Sequence, residues 1–225
     1  MQSRTGALLM MGRLIIGSLG LVKSKLAKAA CAQFIKAHTE LVAAEKVVRE
    51  ADAGVRSASE KVIAADVVQD SATLALAARL AGDGGDRINP FKAYGVTSAS
   101  KLVKRGHLRQ ARALLLLAEG VLASATSSQA SKTAAEAMRE AALALISVYA
   151  ERSFALEVRT QAISARDAKL PQAWRTALSN LRASLRYADS TEGTSSYALV
   201  FAGLTPAKAK RPKKVVEAKA SERSR

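Results

Sequence analysis

A seven-residue register runs from Phe34 to Leu76, and no other feature restricts the fold of this 225-residue chain as tightly. Position a reads Phe34, Leu41, Val48, Val55, Val62, Gln69 and Leu76. Position d reads Ala37, Ala44, Ala51, Ala58, Ala65 and Ala72. A large residue at a and an alanine at d make a narrow packing edge, as in a coiled coil or a long bundle. Alanine at d lets a neighbouring helix approach more closely than leucine would. Gln69 interrupts the apolar line at one a position, where a polar residue can set register or oligomeric state. A helix from about Leu21 to about Leu80 is about 90 Å long at its regular rise, so an elongated molecule is expected. The pairs Glu45–Arg49, Lys46–Glu50 and Asp52–Arg56 stand at i,i+4 and support the helix.

The segment Gly82-Asp83-Gly84-Gly85-Asp86, followed by Asn89-Pro90, ends that helix. It matches one copy of a calcium-binding glycine-aspartate nonapeptide repeat, but such sites need stacked copies, so a plain turn is expected. Asn89-Pro90-Phe91 matches a three-residue endocytic docking motif, too short to carry weight. A second helix is expected from about Thr97 to Ala125, with Leu108, Leu115 and Leu122 at a and Ala111, Ala118 and Ala125 at d. It should fold back on the long helix as an antiparallel hairpin. Gly106, Leu108, Ala111, Leu115 and Ala118 resemble the second helix of a tetratricopeptide repeat. The family's tryptophan, leucine and glycine pattern is missing before it, and no 34-residue period follows. A third helix is expected over Gln129–Lys169, carrying Ala135, Ala142, Tyr149, Leu156, Ile163 and Leu170 as one stripe. Arg152 and Arg159 lie close to that edge and limit the burial of its second half. Pro171 should open a short fourth helix at its first turn, with Trp174, Leu178, Leu181 and Leu185 as the apolar face. Residues 189–206 are rich in Ser, Thr and Gly around a small apolar piece, Tyr197–Leu204. The tail beyond Thr205 holds two prolines and almost no apolar content, so disorder is expected there.

The expected organisation is an apolar N-terminal segment (1–22), a long heptad helix (23–81), a turn (82–96), a three-helix bundle (97–189) and a linker with a basic tail (190–225). Apolar residues make up 49% of the chain but aromatics only 4%, which favours thin helical packing. The fold class is all-α: an elongated helical bundle built on one long alanine-seamed helix, with a disordered basic C-terminal tail.

Residues 7–22 are apolar apart from Arg13 and Ser18. Sixteen residues with a central arginine fall short of the roughly 20 that span a bilayer. Lys23, Lys25 and Lys28 stand between the run and Ala27-Lys28-Ala29, a poor fit to secretory cleavage. Two readings remain. Leu8, Ile15, Leu19, Val22 and Leu26 can share a face and dock into the bundle. Alternatively, the absence of any acid before Glu40 suits a transit peptide or an interfacial helix on anionic lipid.

The net charge is +16, from 35 Lys and Arg against 19 Asp and Glu, which points to a polyanionic partner. Two nearly neutral stretches, 41–90 and 126–165, are flanked by basic zones. Lys101, Arg105, Arg109 and Arg112 are expected on one helical face, and Arg175, Arg182 and Arg186 on another. Lys208, Lys210, Arg211, Lys213 and Lys214 form a basic arm in the tail. Phosphate backbones suit such stripes because Arg and Lys neutralise a repeating charge. Aromatic interleaving and a helix-turn-helix are both missing from the pattern, so nucleic acid would be held by charge and shape. The acids at position e, Glu45, Asp52 and Asp66, read as a solvated or partner-facing stripe.

Catalytic signatures are lacking: His38 and His107 are each expected on an exposed face of a different helix, and no metal, phosphate-loop or nucleophile motif is present. The lone Cys31 permits no intrachain disulfide and is expected to be an inert, half-buried thiol. No enzyme activity, cofactor or metal is expected. The expected function is a structural or assembly protein, inside a cell or a virion, that self-associates through its helical seams or joins a larger complex and binds nucleic acid nonspecifically. The alternatives are a membrane-associated helical assembly protein, whose layout resembles that of phage internal ejection proteins, and a helical-repeat adaptor subunit.

Overall fold

The computed structural model describes residues 4–102 and 106–204; 85% of them are helical, and no strand occurs among them. Among the described residues six α-helices follow in order: α1 (Arg4–Leu19), α2 (Lys28–Gly82), α3 (Ala99–Leu102), α4 (His107–Ala123), α5 (Gln129–Glu192) and α6 (Ser196–Phe201). The chain divides into two compact units. The first comprises Met1–Val42 with Lys169–Arg225, and the second Ala43–Ala168. Both long helices, α2 and α5, contribute to both units.

In the first unit the seam holds Phe34 and Leu41, both fully buried. They share a core with Trp174, Leu178, Leu181 and Leu185 of α5, the residues the sequence predicts as one apolar face. The Phe34 and Trp174 rings lie 5.4 Å apart and tilted at 59°, a favourable aromatic geometry. Helix α1 closes this core with Leu9, Ile15 and Leu19, and α6 with Val200 and Phe201. The N-terminal segment is therefore docked in the bundle. No helix among the described residues is long and apolar enough to cross a membrane. Cys31 is half-buried, and burial raises its thiol pKa, which keeps it protonated.

In the second unit the seam continues through Val48, Val62 and Leu76, while the d-position alanines are mostly half-buried. The narrow edge is filled by the chain's own α4 and α5. A Schellman turn ends α2: the Gly84 N–H bonds to Ala81 and the Gly85 N–H to Leu80, with Gly84 at φ 93°. Asp83 then accepts from the Ser128 N–H and the Ser131 hydroxyl, which ties the end of α2 to the start of α5. Asp86 accepts from the Ile88 and Asn89 N–H groups. Both aspartates of the glycine-rich segment thus act as turn and cap acceptors. Phe91 of the three-residue docking match is fully buried and offers nothing to a partner.

Around α4 and Pro171 the structure departs from the sequence expectations. The single helix over 97–125 is two: α3, of four residues, and α4, which starts after Gly106. A tetratricopeptide-like pair is therefore missing, because α4 has no preceding helix of comparable length. The buried face of α4 also differs, since Ala111, Leu114, Leu117, Ala118 and Val121 are buried while Leu108 is exposed. The run Ala113–Ala118 is apolar all round, so its pattern alone selects no face. Finally, α5 passes through Pro171 without ending. Proline removes the hydrogen bond to the Asp167 carbonyl, while Leu170 and Trp174, one turn apart, both pack into the first unit's core.

Gln69 is fully buried at its a position, and neither amide atom has a hydrogen-bond partner. An unsatisfied buried amide costs about 1–3 kcal/mol. Gln69→Leu is therefore expected to stabilise the second unit by about 2 kcal/mol, a rise in Tm of about 4–8 °C in thermal unfolding. A lower Tm would mean that the amide is paired.

Candidate nucleic-acid interface

The described charges of the second unit nearly balance, 15 basic residues against 14 acids, and a row of them pairs between its helices. The e-position acids of α2, expected as a solvated or partner-facing stripe, take partners within the chain. Arg166 Nη1 donates to Glu45 at 2.8 Å, Arg159 pairs with Asp52, and Arg152 Nε donates to Ser59 at 3.2 Å. Each step is seven residues on both helices, so α2 and α5 run antiparallel with one polar register beside the seam. His107 continues the line with a 2.6 Å contact to Asp66, and Gln110 bonds Asp70 at 2.7 Å. Arg166 is held between Asp167 and Glu45, and hydrogen bonds to both raise its pKa. Of the expected local pairs, Lys46–Glu50 and Glu45–Arg49 form at 3.7 and 3.6 Å, whereas Asp52 takes Arg159.

The first unit has the opposite character. Residues 4–42 and 169–204 contain ten basic residues against three acids, Glu40, Asp189 and Glu192. Arg175, Arg182 and Arg186 are exposed on α5, one position over from the buried Trp174 stripe, as predicted. Two of them are engaged by α6. The Arg186 guanidinium lies 4.6 Å above the Tyr197 ring and donates from Nη2 to the Tyr197 hydroxyl at 3.0 Å. The Arg182 guanidinium lies 5.1 Å from the Phe201 ring centre. The two rings are 4.9 Å apart. Asp189 fixes α6 by accepting from the Ser196 and Tyr197 N–H groups and the Thr194 hydroxyl. The Thr194 bond first, then those N–H groups, hold its carboxyl below the usual aspartate range.

Cations and aromatic rings are thus interleaved here, although the linear sequence has no such pattern. The missed signal is the i,i+4 pair Tyr197 and Phe201, whose meaning depends on α6 folding against α5. An arginine resting on a ring is preorganised, so less side-chain entropy is lost when it takes a phosphate.

The remaining expected residues are placed differently. Lys101 stands exposed on α3, and Arg109 and Arg112 stand exposed one turn apart on α4. The break before His107 means that no single helix carries all four of that stripe. Arg105 lies outside the described residues, as do Lys208, Lys210, Arg211, Lys213 and Lys214. His38, expected on an exposed face, is buried. No family model matches the chain, and neither a curated protein nor a solved structure matches it.

Proposed function

We propose that this is a non-enzymatic helical assembly protein whose first unit binds nucleic acid through charge, without reading bases. The observation that carries the reading is the division of charge. The second unit holds 15 basic residues against 14 acids in its described segments and pairs Arg159 and Arg166 with its own acids, while the first keeps ten basic residues against three acids in its described segments. Arg182 and Arg186, held on aromatic rings, supply preorganised phosphate contacts, and Arg175 extends the row. The tail residues Lys208, Lys210, Arg211, Lys213 and Lys214 add a basic arm in sequence. Since the heptad seam is filled by the chain's own helices, self-association falls to other surfaces, such as the exposed Ile63, Val67 and Leu74 on α2.

The test is anisotropy of labelled DNA duplexes with the full chain. Lys169→Glu combined with Arg175→Glu changes two exposed residues outside the core. Binding at low salt is expected to weaken by roughly tenfold, equally for unrelated sequences. Unchanged affinity, or a loss confined to one sequence, would overturn the reading.

A further inference from the structure

The first unit contains a buried histidine at the point where α1 crosses α2. His38 is 4% exposed. The Trp174 indole N–H donates to His38 Nδ1 at 3.3 Å, and the Phe34 ring stacks near the imidazole. Gly12 of α1 also lies against the ring, so close that a Cβ there would overlap His38 Nδ1 and Cε1. Only glycine lets the helix backbone rest on the ring. Because Nδ1 accepts from Trp174, the imidazole must be neutral, with its proton on Nε2. A proton added at Nδ1 would point an N–H at the indole N–H and bury a charge under α1. The charged group acting on the ring is Arg13 of α1, and its charge opposes protonation. From α5 the facing group is the Trp174 indole, which does not titrate. Among the described residues no ion pair compensates a charge on His38.

Helix α1 is itself unusual for a docked surface helix. Its inner line is Thr5, Leu9, Gly12, Ile15 and Leu19, yet its outer side exposes Met10 at 55% and Leu14 at 56%. Leu21 and Leu26, just beyond it, are also exposed. Arg13, Lys23, Lys25 and Lys28 flank this apolar strip, and no acid precedes Glu40. Apolar residues rimmed by cations alone match the interface of an anionic bilayer. The helix is too short to cross one, so it would lie in the plane.

We propose that His38 latches α1 to the first unit in neutral solution, and that protonating the imidazole frees α1 to bind an anionic lipid surface. Burial, then the Arg13 charge, lowers the His38 pKa from the usual 6.5. The folded unit therefore binds this proton less well than the released one. Docking is at full strength above pH 6.5 and is lost as the pH falls through the lowered value. This inference does not rest on nucleic-acid binding.

The test is flotation of the full chain with phosphatidylcholine vesicles containing about one third phosphatidylglycerol, at about pH 7.5 and about pH 5. The bound fraction of the natural chain is expected to rise about fivefold on acidification. His38→Gln can still accept from Trp174 but never charges, so it should show no rise. Gly12→Ala should bind at both pH values. Equal binding of the natural chain at both, an equal rise in His38→Gln, or no gain in Gly12→Ala at the higher pH would each overturn the proposal. Trp174 is the sole tryptophan and touches the latch, so its emission gives a reading that needs no variant. A change with a midpoint below 6.5 is expected. Flat emission across that range, or a change without vesicle binding, would overturn the latch or the lipid assignment respectively.

Discussion

Leu41→Asp is expected to abolish the folded first unit. Leu41 is fully buried at an a position of the register, in the cluster that contains Phe34 and Trp174. Removing a buried leucine side chain costs about 2–5 kcal/mol. Placing a carboxylate without a partner in the same space costs several kcal/mol more, as desolvation or as the work of protonating it. The total approaches the whole stability of an ordinary domain, about 5–15 kcal/mol. The Trp174 emission of the variant should resemble that of the natural chain in strong urea. Ile35→Asp is the control, since Ile35 is one position past the seam and 41% exposed. Its cost should be about 1 kcal/mol, a small shift in the urea midpoint. If the two variants behave alike, the seam is not what holds this unit.

Gly12→Ala is the second large effect, and it inverts the ordinary rule for glycine in helices. In an unconstrained helix, alanine gains about 0.5–1 kcal/mol over glycine. At Gly12 the added methyl would collide with the His38 ring, which is itself held by Trp174 and Phe34 and cannot swing away cheaply. Overpacking of this kind costs about 3 kcal/mol at the upper end of the usual range. The expected result is a fall in Tm of the first unit by about 12–24 °C, read from Trp174 emission. Gly17 lies on the same helix, and a Cβ there meets nothing within 4 Å. Gly17→Ala should raise Tm slightly. Opposite signs at two glycines of one helix would be hard to obtain unless α1 docks through Gly12.

The sequence was informative where one residue's environment is set by its own helix. The a positions from Phe34 to Leu76 alternate with alanine so regularly that their burial could be read directly for all but the half-buried Val55, and so could the face Trp174–Leu185. It was silent where two distant segments meet. His38 reads as exposed until α1 is laid over it, and Tyr197 reads as a lone aromatic until Arg186 covers its ring. In α4 the run Ala113–Ala118 offers apolar residues on every side, so only packing selects Leu114 and Leu117. Pro171 carries the local chemistry of a helix start, and tertiary contacts on both sides override it. The acid stripe Glu45–Asp52 and the basic stripe Arg152–Arg159–Arg166 share a seven-residue spacing. That shared spacing is the signal from which their pairing could have been recognised. The basic residues of the candidate interface were legible as charge, but which of them rest on aromatic rings depended on α6.

The proposed role of the basic first unit is to hold nucleic acid by phosphate contacts alone. The direct measurement is the affinity of the full chain for duplexes of two unrelated sequences across a salt series. For purely phosphate-mediated binding the logarithm of the association constant falls linearly with the logarithm of salt, by about 0.9 for each phosphate neutralised. The predicted result is one common line for both sequences with a slope steeper than about −4. Absence of binding at low salt, a slope near zero, or distinct lines for the two sequences would contradict it.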